Sequence, residues 1–278
     1  MLTHRKSSRK RYGDIPLQLQ IGGMKLYFVP HGDFALTLFK HSRELSTKVL
    51  GILPLTRHFG MTKSDVQPFI EDDSGILPQP AAGFEHVNPD KRIWHVMHRD
   101  LQTLLMGTPL NVMTAKFVEI YTDQISNHHT LTSEKWTEYP DLNAFLQTEM
   151  LTAAIQALCG TKMLEQSPTF VEDFWAYDEG IPTIFKMIPR WLAPKPYRFR
   201  DKMVAMVQAW HENALKSIDS DNPEAMKDWD PVYGAKIMRA RAKMYRNVGI
   251  NTAGMGSGDL GMMWAYVFRA LLSCSAGC

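Results

Sequence analysis

After about residue 30, apolar residues recur three and four positions apart along most of the chain, and strict apolar–polar alternation is scarce. That period places side chains on one face of an α-helix, so the chain reads as mainly α. The exception is Leu26-Tyr27-Phe28-Val29, a β-prone run that follows Gly22-Gly23 and stops at Pro30. A small β element is therefore expected near the start.

Helix punctuation divides the remainder. Asp33 is placed to cap a helix carrying Phe34, Leu38 and Phe39, and a second apolar segment runs from Thr47 to Phe59. Residues 72–90 hold Pro78, Pro80, Gly83 and Pro89 and read as a loop. Asp90 is expected to cap a helix containing Ile93, Trp94, Met97, Leu101, Leu104 and Leu105. Pro109 opens another, with Leu110, Met113, Phe117, Ile120, Tyr121 and Ile125 on one side. Pro140 in a first turn starts the next, which closes at Gly160. Further helices are expected over 168–187, from Met203 to Ile218, over 231–248 and over 258–273, with a loop at 188–194 and a polar break at 219–230.

With 278 residues, 45% hydrophobic and 22% charged, the chain can bury a substantial core in one large or two small domains. A formal net charge of +2 gives no support to general nucleic-acid binding. Arg5, Lys6, Arg9, Lys10 and Arg11 concentrate basic charge before Tyr12, and residues 1–19 are expected to form a basic, disordered segment. Cys159, Cys274 and Cys278 are too few and too unevenly placed for a disulfide scaffold or a four-cysteine zinc site, so a reducing compartment is expected. No run of about 18 apolar residues exists, so neither a transmembrane helix nor a signal peptide is expected, and any membrane contact is peripheral.

Three motifs point elsewhere and fail on their surroundings. His98-Arg99-Asp100-Leu101 spells the opening of a protein-kinase catalytic loop, but Leu105 stands where its magnesium-binding asparagine belongs, and no Asp-Phe-Gly follows. Gly256-Ser257-Gly258-Asp259-Leu260-Gly261 matches a dinucleotide fingerprint without a preceding strand or the acidic residue required about 20 positions later; glycine-rich backbone entering a helix is the simpler reading. His95 and His98 stand three apart on one helix without the further His or Glu of a hydrolytic zinc site, and His128 and His129 lie in a polar stretch. Cys159, on an apolar helix face, reads as packing. Neither a catalytic residue nor a metal ligand is expected.

Several segments, in order, resemble the fungal branch of the cytochrome P450 family related to sterol 7-hydroxylases and prostacyclin synthase. Leu26 to Val29 and Leu38-Phe39-Lys40-His41-Ser42-Arg43-Glu44-Leu45-Ser46 resemble a strand of the first sheet and the helix after it. His98 to Phe117, with Gly107-Thr108-Pro109-Leu110, resembles the C and D helices. Ala157-Leu158-Cys159-Gly160, Phe170, Asp173-Phe174-Trp175 and Pro189-Arg190-Trp191-Leu192 resemble the E helix, the F helix and the loop that follows. Gly258-Asp259-Leu260-Gly261-Met262-Met263-Trp264-Ala265 resembles the opening of the I helix that crosses the haem face.

The resemblance implies that His98 and Arg99, with Trp94 one turn earlier, form the side facing a haem propionate; the alternative is a helix whose Trp94 packs and whose Arg99 is solvated. It implies that Gly258, Gly261 and Ala265 border the substrate pocket. Trp191 and Leu192 fit either a membrane-facing access region or the core. Complete relatives oxidise small lipophilic substrates by haem-thiolate chemistry with an NADPH-dependent reductase, which implies a location in the cytoplasm or at the periphery of the endoplasmic reticulum membrane.

The sequence also departs from the family. After Ala265 it reads Tyr266-Val267-Phe268-Arg269-Ala270-Leu271-Leu272 where a polar, oxygen-handling stretch belongs, and it lacks the K-helix Glu-x-x-Arg pair and the glycine-flanked cysteine loop. The expectation is therefore mainly α with a small β element: a truncated cytochrome P450 fold over 20–265 ending in the I helix, with 266–278 a divergent tail. Such a chain is expected to expose apolar surface from the I helix, to bind haem unproductively and to be inactive. Two alternatives stand beside this: a non-catalytic helical protein that binds a hydrophobic ligand or a protein partner, and a fragment of an active haem monooxygenase. Ala265-Tyr266-Val267 can be encoded with a fungal intron start, so a retained intron or a truncated gene is expected; sequencing the transcript decides, and one uninterrupted exon through residue 278 would exclude the intron.

Overall fold

The computed structural model describes residues 16–21, 24–29, 32–41, 48–131, 136–216 and 227–275. The basic cluster at 5–11 lies outside them. The fold is mainly α with small sheets, as the apolar period requires. Contacts divide the chain into two units, Met1–Val49 and Leu50–Cys278.

In the first unit, β1 (Leu17–Ile21) pairs antiparallel with β2 (Met24–Phe28), with Leu19 opposite Leu26. Helix α1 (Gly32–Lys40) follows, with Asp33 inside its first turn, where a carboxylate complements the helix dipole, and Lys40 in its last. Many apolar side chains here are exposed, Tyr27 at 66% and Phe39 at 76% among them.

Helix α2 (Lys48–Leu53) continues into a π-helical turn at Pro54–His58, and the second unit is built from there. Helix α3 (Lys63–Glu71) starts at Thr62, whose hydroxyl accepts from the Asp65 N–H. Residues 72–90 are irregular, as the prolines dictate, and one buried side chain orders much of this loop. The Arg92 guanidinium, 2% exposed, donates to the carbonyls of Pro78 at 2.8 Å and Leu77 at 2.7 Å and to the Ser74 hydroxyl at 3.0 Å. Asp90 does not cap the next helix. Asn88 accepts from the Asp90 N–H to cap a short 3-10 turn, Pro89–Lys91, and α4 (Ile93–Leu104) begins only after Arg92.

Helix α5 (Gly107–Ser126) takes in Pro109 within its first turn. Helix α6 (Leu142–Cys159) is capped by Asp141 through the Ala144 N–H, so Pro140 precedes the cap rather than opening the helix. Leu151, Ala153, Ala154, Ile155, Ala157, Leu158 and Cys159 are all buried, so the C-terminal half of this helix is enclosed rather than one-sided. A short α7 (Thr161–Gln166) follows, and the helix expected over 168–187 is α8 (Phe170–Phe185). Helix α9 (Pro194–Lys216) begins nine residues earlier than the apolar repeat from Met203 suggested.

A second hairpin, β3 (Trp229–Asp230) with β4 (Gly234–Ala235), lies where a helix was expected to start; α10 (Lys236–Asn247) and α11 (Thr252–Ser275) follow. The hairpin docks on the end of α6. The Trp229 indole donates to the Ala157 carbonyl at 2.9 Å and Lys162 N–H to the Pro231 carbonyl at 3.0 Å. Gly160 (φ 85°) and Gly234 (φ 66°) let the two backbones meet, since a Cβ on either would overlap main-chain atoms of the other segment.

The main core joins α6, α8, α9 and α11. Phe170, Phe174, Tyr177, Ile181 and Ile184 on α8 face Met203, Val207, Trp210 and Ala214 on α9 at helical spacing, and Leu260, Met263 and Val267 close the layer. A second cluster gathers Val66, Phe69, Ile93, Val96, Met244, Tyr245 and Ile250 beneath α3, α4 and α10. The apolar exposure expected on the last helix is not seen through Val267, most of whose residues are buried; among the described residues much of the exposure falls on β1, β2 and α1.

Two substitutions test this account. Gly234→Ala is expected to destabilise the chain by about 2–4 kcal/mol in urea unfolding, because positive φ and backbone overlap add. Arg92→Met is expected to raise amide hydrogen exchange across residues 74–78 well above that in α6; unchanged protection there would mean that the guanidinium does not order the loop.

Candidate functional site

Asp259 is the fixed point of the second unit. It is fully buried two turns into α11, among residues that are almost all apolar or glycine, and a carboxylate in that setting requires partners. Its Oδ2 accepts from His211 Nε2 on α9 at 2.9 Å, and its Oδ1 accepts from Arg241 Nε on α10 at 2.5 Å and from the Tyr245 hydroxyl at 3.2 Å. Arg241 also reaches the Gly258 carbonyl at 3.3 Å and the Tyr245 hydroxyl. His211 turns Nδ1 to the Tyr233 hydroxyl at 3.2 Å.

Charge balance governs the protonation states. Burial alone would raise the Asp259 carboxyl, but the Arg241 charge and the His211 hydrogen bond overcome it and hold the group below the ordinary carboxylate range. Burial would likewise lower Arg241, yet Tyr245, Asp259 and Asp100 hold it above its usual value. Burial pushes the hydroxyls of Tyr233 and Tyr245 up, so both remain donors. The cluster is closed on all sides by protein, and its chemistry is that of an electrostatic lock between α9, α10 and α11.

The glycines around Asp259 serve that lock. The run Gly256 to Gly261 lies inside α11 rather than at its entrance, because the helix starts at Thr252. A Cβ at Gly256 would come within 2.9 Å of the Val204 carbonyl oxygen on α9, and one at Gly258 would overlap the Tyr245 hydroxyl. Small residues thus make room for α9 and for the Tyr245 ring beside Asp259.

The residues expected at a haem propionate share α4 but have partners within the protein. The Trp94 indole N–H donates to the Phe69 carbonyl at 2.9 Å, and its ring packs edge-on against Phe69. Arg99 binds Asp100 Oδ1 through Nε and Nη2 at 2.9 and 2.8 Å, and His98 is half-buried. Gly258 and Gly261 are buried against Tyr245 and Phe59, whereas Ala265 is exposed, so these three do not meet around one cavity. Trp191 and Leu192 are 82% and 63% exposed, which removes the reading that places them in the core.

The described residues do not fit thiolate ligation of a haem iron. Cys159 is fully buried on α6, and burial together with the Asp259 charge pushes its thiol well above the ordinary range. The side chains of Cys274 and Cys278 lie outside the described residues. Among the described residues no group of three His, Cys, Asp or Glu could hold a metal ion.

A cleft of about 400 Å³ lies elsewhere, between the π-helical turn, the end of α8 and the start of α9. Ile184, Met187, Pro189 and Tyr197 form its apolar wall, and Thr56, Arg57, Arg190 and Arg200 its polar one. Sequence reasoning missed both groupings. The signal for the first was a single acid in a glycine-rich apolar helix, but its partners stand 18 and 48 residues away, beyond any motif spacing.

The lock predicts an acid-side instability. With its folded pKa lowered, Asp259 contributes stability that is present above the unfolded value of about 3.9 and is lost as pH falls through the folded value. Asp259→Asn is expected to cost on the order of 3–5 kcal/mol at neutral pH by leaving Arg241 buried without its counter-charge, and to flatten the acid limb of the stability curve. A cost below about 1 kcal/mol would show that the ion pair is not what holds the three helices.

The chain is 29% identical to the cytochrome P450 monooxygenase fsoE of Humicola fuscoatra over 92% of its own length and 42% of that protein's. It is 25% identical to the cytochrome P450 monooxygenase efuG of Hormonema carpetanum, over 93% of its length and 44% of the relative's. With the cytochrome P450 monooxygenase calL of Penicillium decumbens it shares 26% identity over 84% of its length and 43% of the relative's. No protein-family model and no solved structure matches it. The chain spans less than half the length of the curated relatives it matches. Along nearly all of its own length, this mainly α chain is similar to the first part of fungal cytochrome P450 monooxygenases, without spanning them.

Proposed function

We infer that this chain is a truncated cytochrome P450 monooxygenase-like protein that does not, on its own, perform haem-thiolate oxidation. The observation that carries the reading is the similarity to cytochrome P450 monooxygenases along 84 to 93% of the chain, paired with coverage of only 42 to 44% of each relative. The chemistry of Cys159 supports the inactive half of it. A thiolate ligand pushes electron density onto haem iron and favours O–O cleavage, and an inaccessible thiol held protonated by its surroundings cannot do so.

In complete relatives the bound haem would supply oxygen activation, with electrons from an NADPH-dependent reductase and a small lipophilic molecule as substrate. The contribution of the present residues is structural. Asp259, Arg241 and His211 fix α11 against α9 and α10, and Trp94 ties α4 to α3. Contact with a membrane would be peripheral, through Trp191 and Leu192, since among the described residues no helix is long and apolar enough to span one. Such contact would place the chain in the cytoplasm or at the periphery of the endoplasmic reticulum.

One observation favours a second reading, in which the chain binds a hydrophobic ligand without haem: the cleft between α8 and α9 has an apolar wall of Ile184, Met187, Pro189 and Tyr197.

Expression with added haem, followed by a reduced carbon-monoxide difference spectrum, tests the first reading. The expected outcome is no thiolate-type Soret band. A band of that type would overturn the inactive reading, its loss in Cys159→Ala identifying Cys159 as the ligand, and ligand binding by haem-free protein would favour the second.

A further inference from the structure

The three arginines of the cleft between α8 and α9 do not balance. Arg190 Nη1 lies 2.8 Å from Asp201 Oδ2, and Arg200 holds Asp201 Oδ1 with Nε at 3.0 Å and Nη2 at 2.6 Å, so one carboxylate serves two guanidiniums. Arg57 is exposed, and its recorded contact is through the main chain, its carbonyl accepting from Arg200 Nη1 at 3.2 Å. The described cleft therefore carries three positive charges against one negative.

The same residues are unequally free. Arg200 is largely buried, and its guanidinium is fixed by Asp201, by the Arg57 carbonyl and by the Tyr197 ring 5.1 Å away. It is a preorganised positive wall. Arg190 is 58% exposed at its side chain, and with the exposed Arg57 it keeps donors available to solvent. The other lining residues are largely apolar, and one of them is held at a conformational cost. Met187 has φ 56°, the one positive value for a non-glycine among the described residues, fixed by its N–H bond to the Ile184 carbonyl at 2.9 Å.

We propose that this cleft binds an amphipathic carboxylate, its anionic head between Arg57 and Arg190 and its apolar body along Ile184, Met187 and Tyr197. A carboxylate accepts two parallel N–H bonds from a guanidinium, and a hydrocarbon body covers wall atoms that water solvates poorly. The volume, about 400 Å³, is in the range of small-molecule clefts. A fully polar anion would leave the apolar wall uncovered, and a neutral lipid would leave the charge unmet. The proposal stands on the cleft and requires neither haem nor monooxygenase activity.

Calorimetric titration of the full, haem-free chain with decanoate, below its micelle concentration, and with decanol as the uncharged probe tests it. Decanoate is expected to bind at least about tenfold more tightly than decanol, with affinity falling as salt is raised. Replacing both exposed arginines, Arg57→Gln with Arg190→Gln, is expected to remove that preference and leave decanol binding within about twofold of the parent. Arg57→Lys is expected to retain most of it, which separates charge from disturbed folding. Equal binding of the two probes by the parent chain, or an unchanged decanoate affinity in the double variant, overturns the proposal. The proposal deepens the hydrophobic-ligand reading of the same cleft: equal binding of the two probes would overturn the carboxylate and keep that reading, whereas binding of neither would overturn both.

Discussion

The second unit depends on how one buried carboxylate is neutralised. Placing Asp259 inside α11 is unfavourable unless the charge is matched and both oxygens are bonded, and three other elements bend to that requirement. Helix α9 supplies His211, α10 supplies Arg241 and Tyr245, and the turn before α10 supplies Tyr233, which orients His211. Apolar burial drives these helices together in any of several registers; the ion network admits few. Glycines at 256 and 258 allow the approach that makes the bonds short, so the small residues and the charge are one device. Burial, and after it the same charge, disfavours ionisation of Cys159, so the lock reaches beyond its own hydrogen bonds.

Much of the fold was legible because the apolar period is itself a consequence of helix geometry. Phe170, Phe174, Ile181 and Ile184 recur at the spacing that places them on one side of α8, and they are buried there. Boundaries were less legible, since capping depends on which of two neighbouring side chains reaches a free N–H. Asn88 rather than Asp90 closes the turn before α4, and Asp141 takes the capping role expected at Pro140. The entrance of α11 was misplaced for a different reason. Glycines at 256, 258 and 261 look like punctuation in a linear reading, but in the fold each provides room for a neighbour, and helix continues through them.

The candidate site was legible only in outline. Trp94, His98 and Arg99 were correctly placed together on one helix, and the structure gives Trp94 and Arg99 partners inside the protein, Phe69 and Asp100. The partners of Asp259 could not be read, because no spacing rule connects residues on separate helices. The cleft arginines are a clearer case. Arg57, Arg190 and Arg200 are unremarkable singly, and only the packing of the π-helical turn against the start of α9 brings them to one wall.

Family resemblance and local chemistry answer different questions about this chain. Similarity to fungal cytochrome P450 monooxygenases runs along 92% of a chain that holds both the small hairpin before α1 and the helices that follow. It does not bring activity with it, because oxygen activation resides in a thiolate on iron and in the face of the helix above it. In this chain α11 packs Gly258 and Gly261 against Tyr245 and Phe59, and the one cysteine with a described side chain is buried, with its thiol pushed well above the ordinary range. The packing constraint holds whatever chemistry the chain carries, since Asp259 must be matched wherever α11 is buried. The interior and the cleft therefore obey separate rules: in the interior burial makes every charge find a partner, whereas at the cleft exposure leaves guanidinium donors open to solvent and to whatever anion fits them.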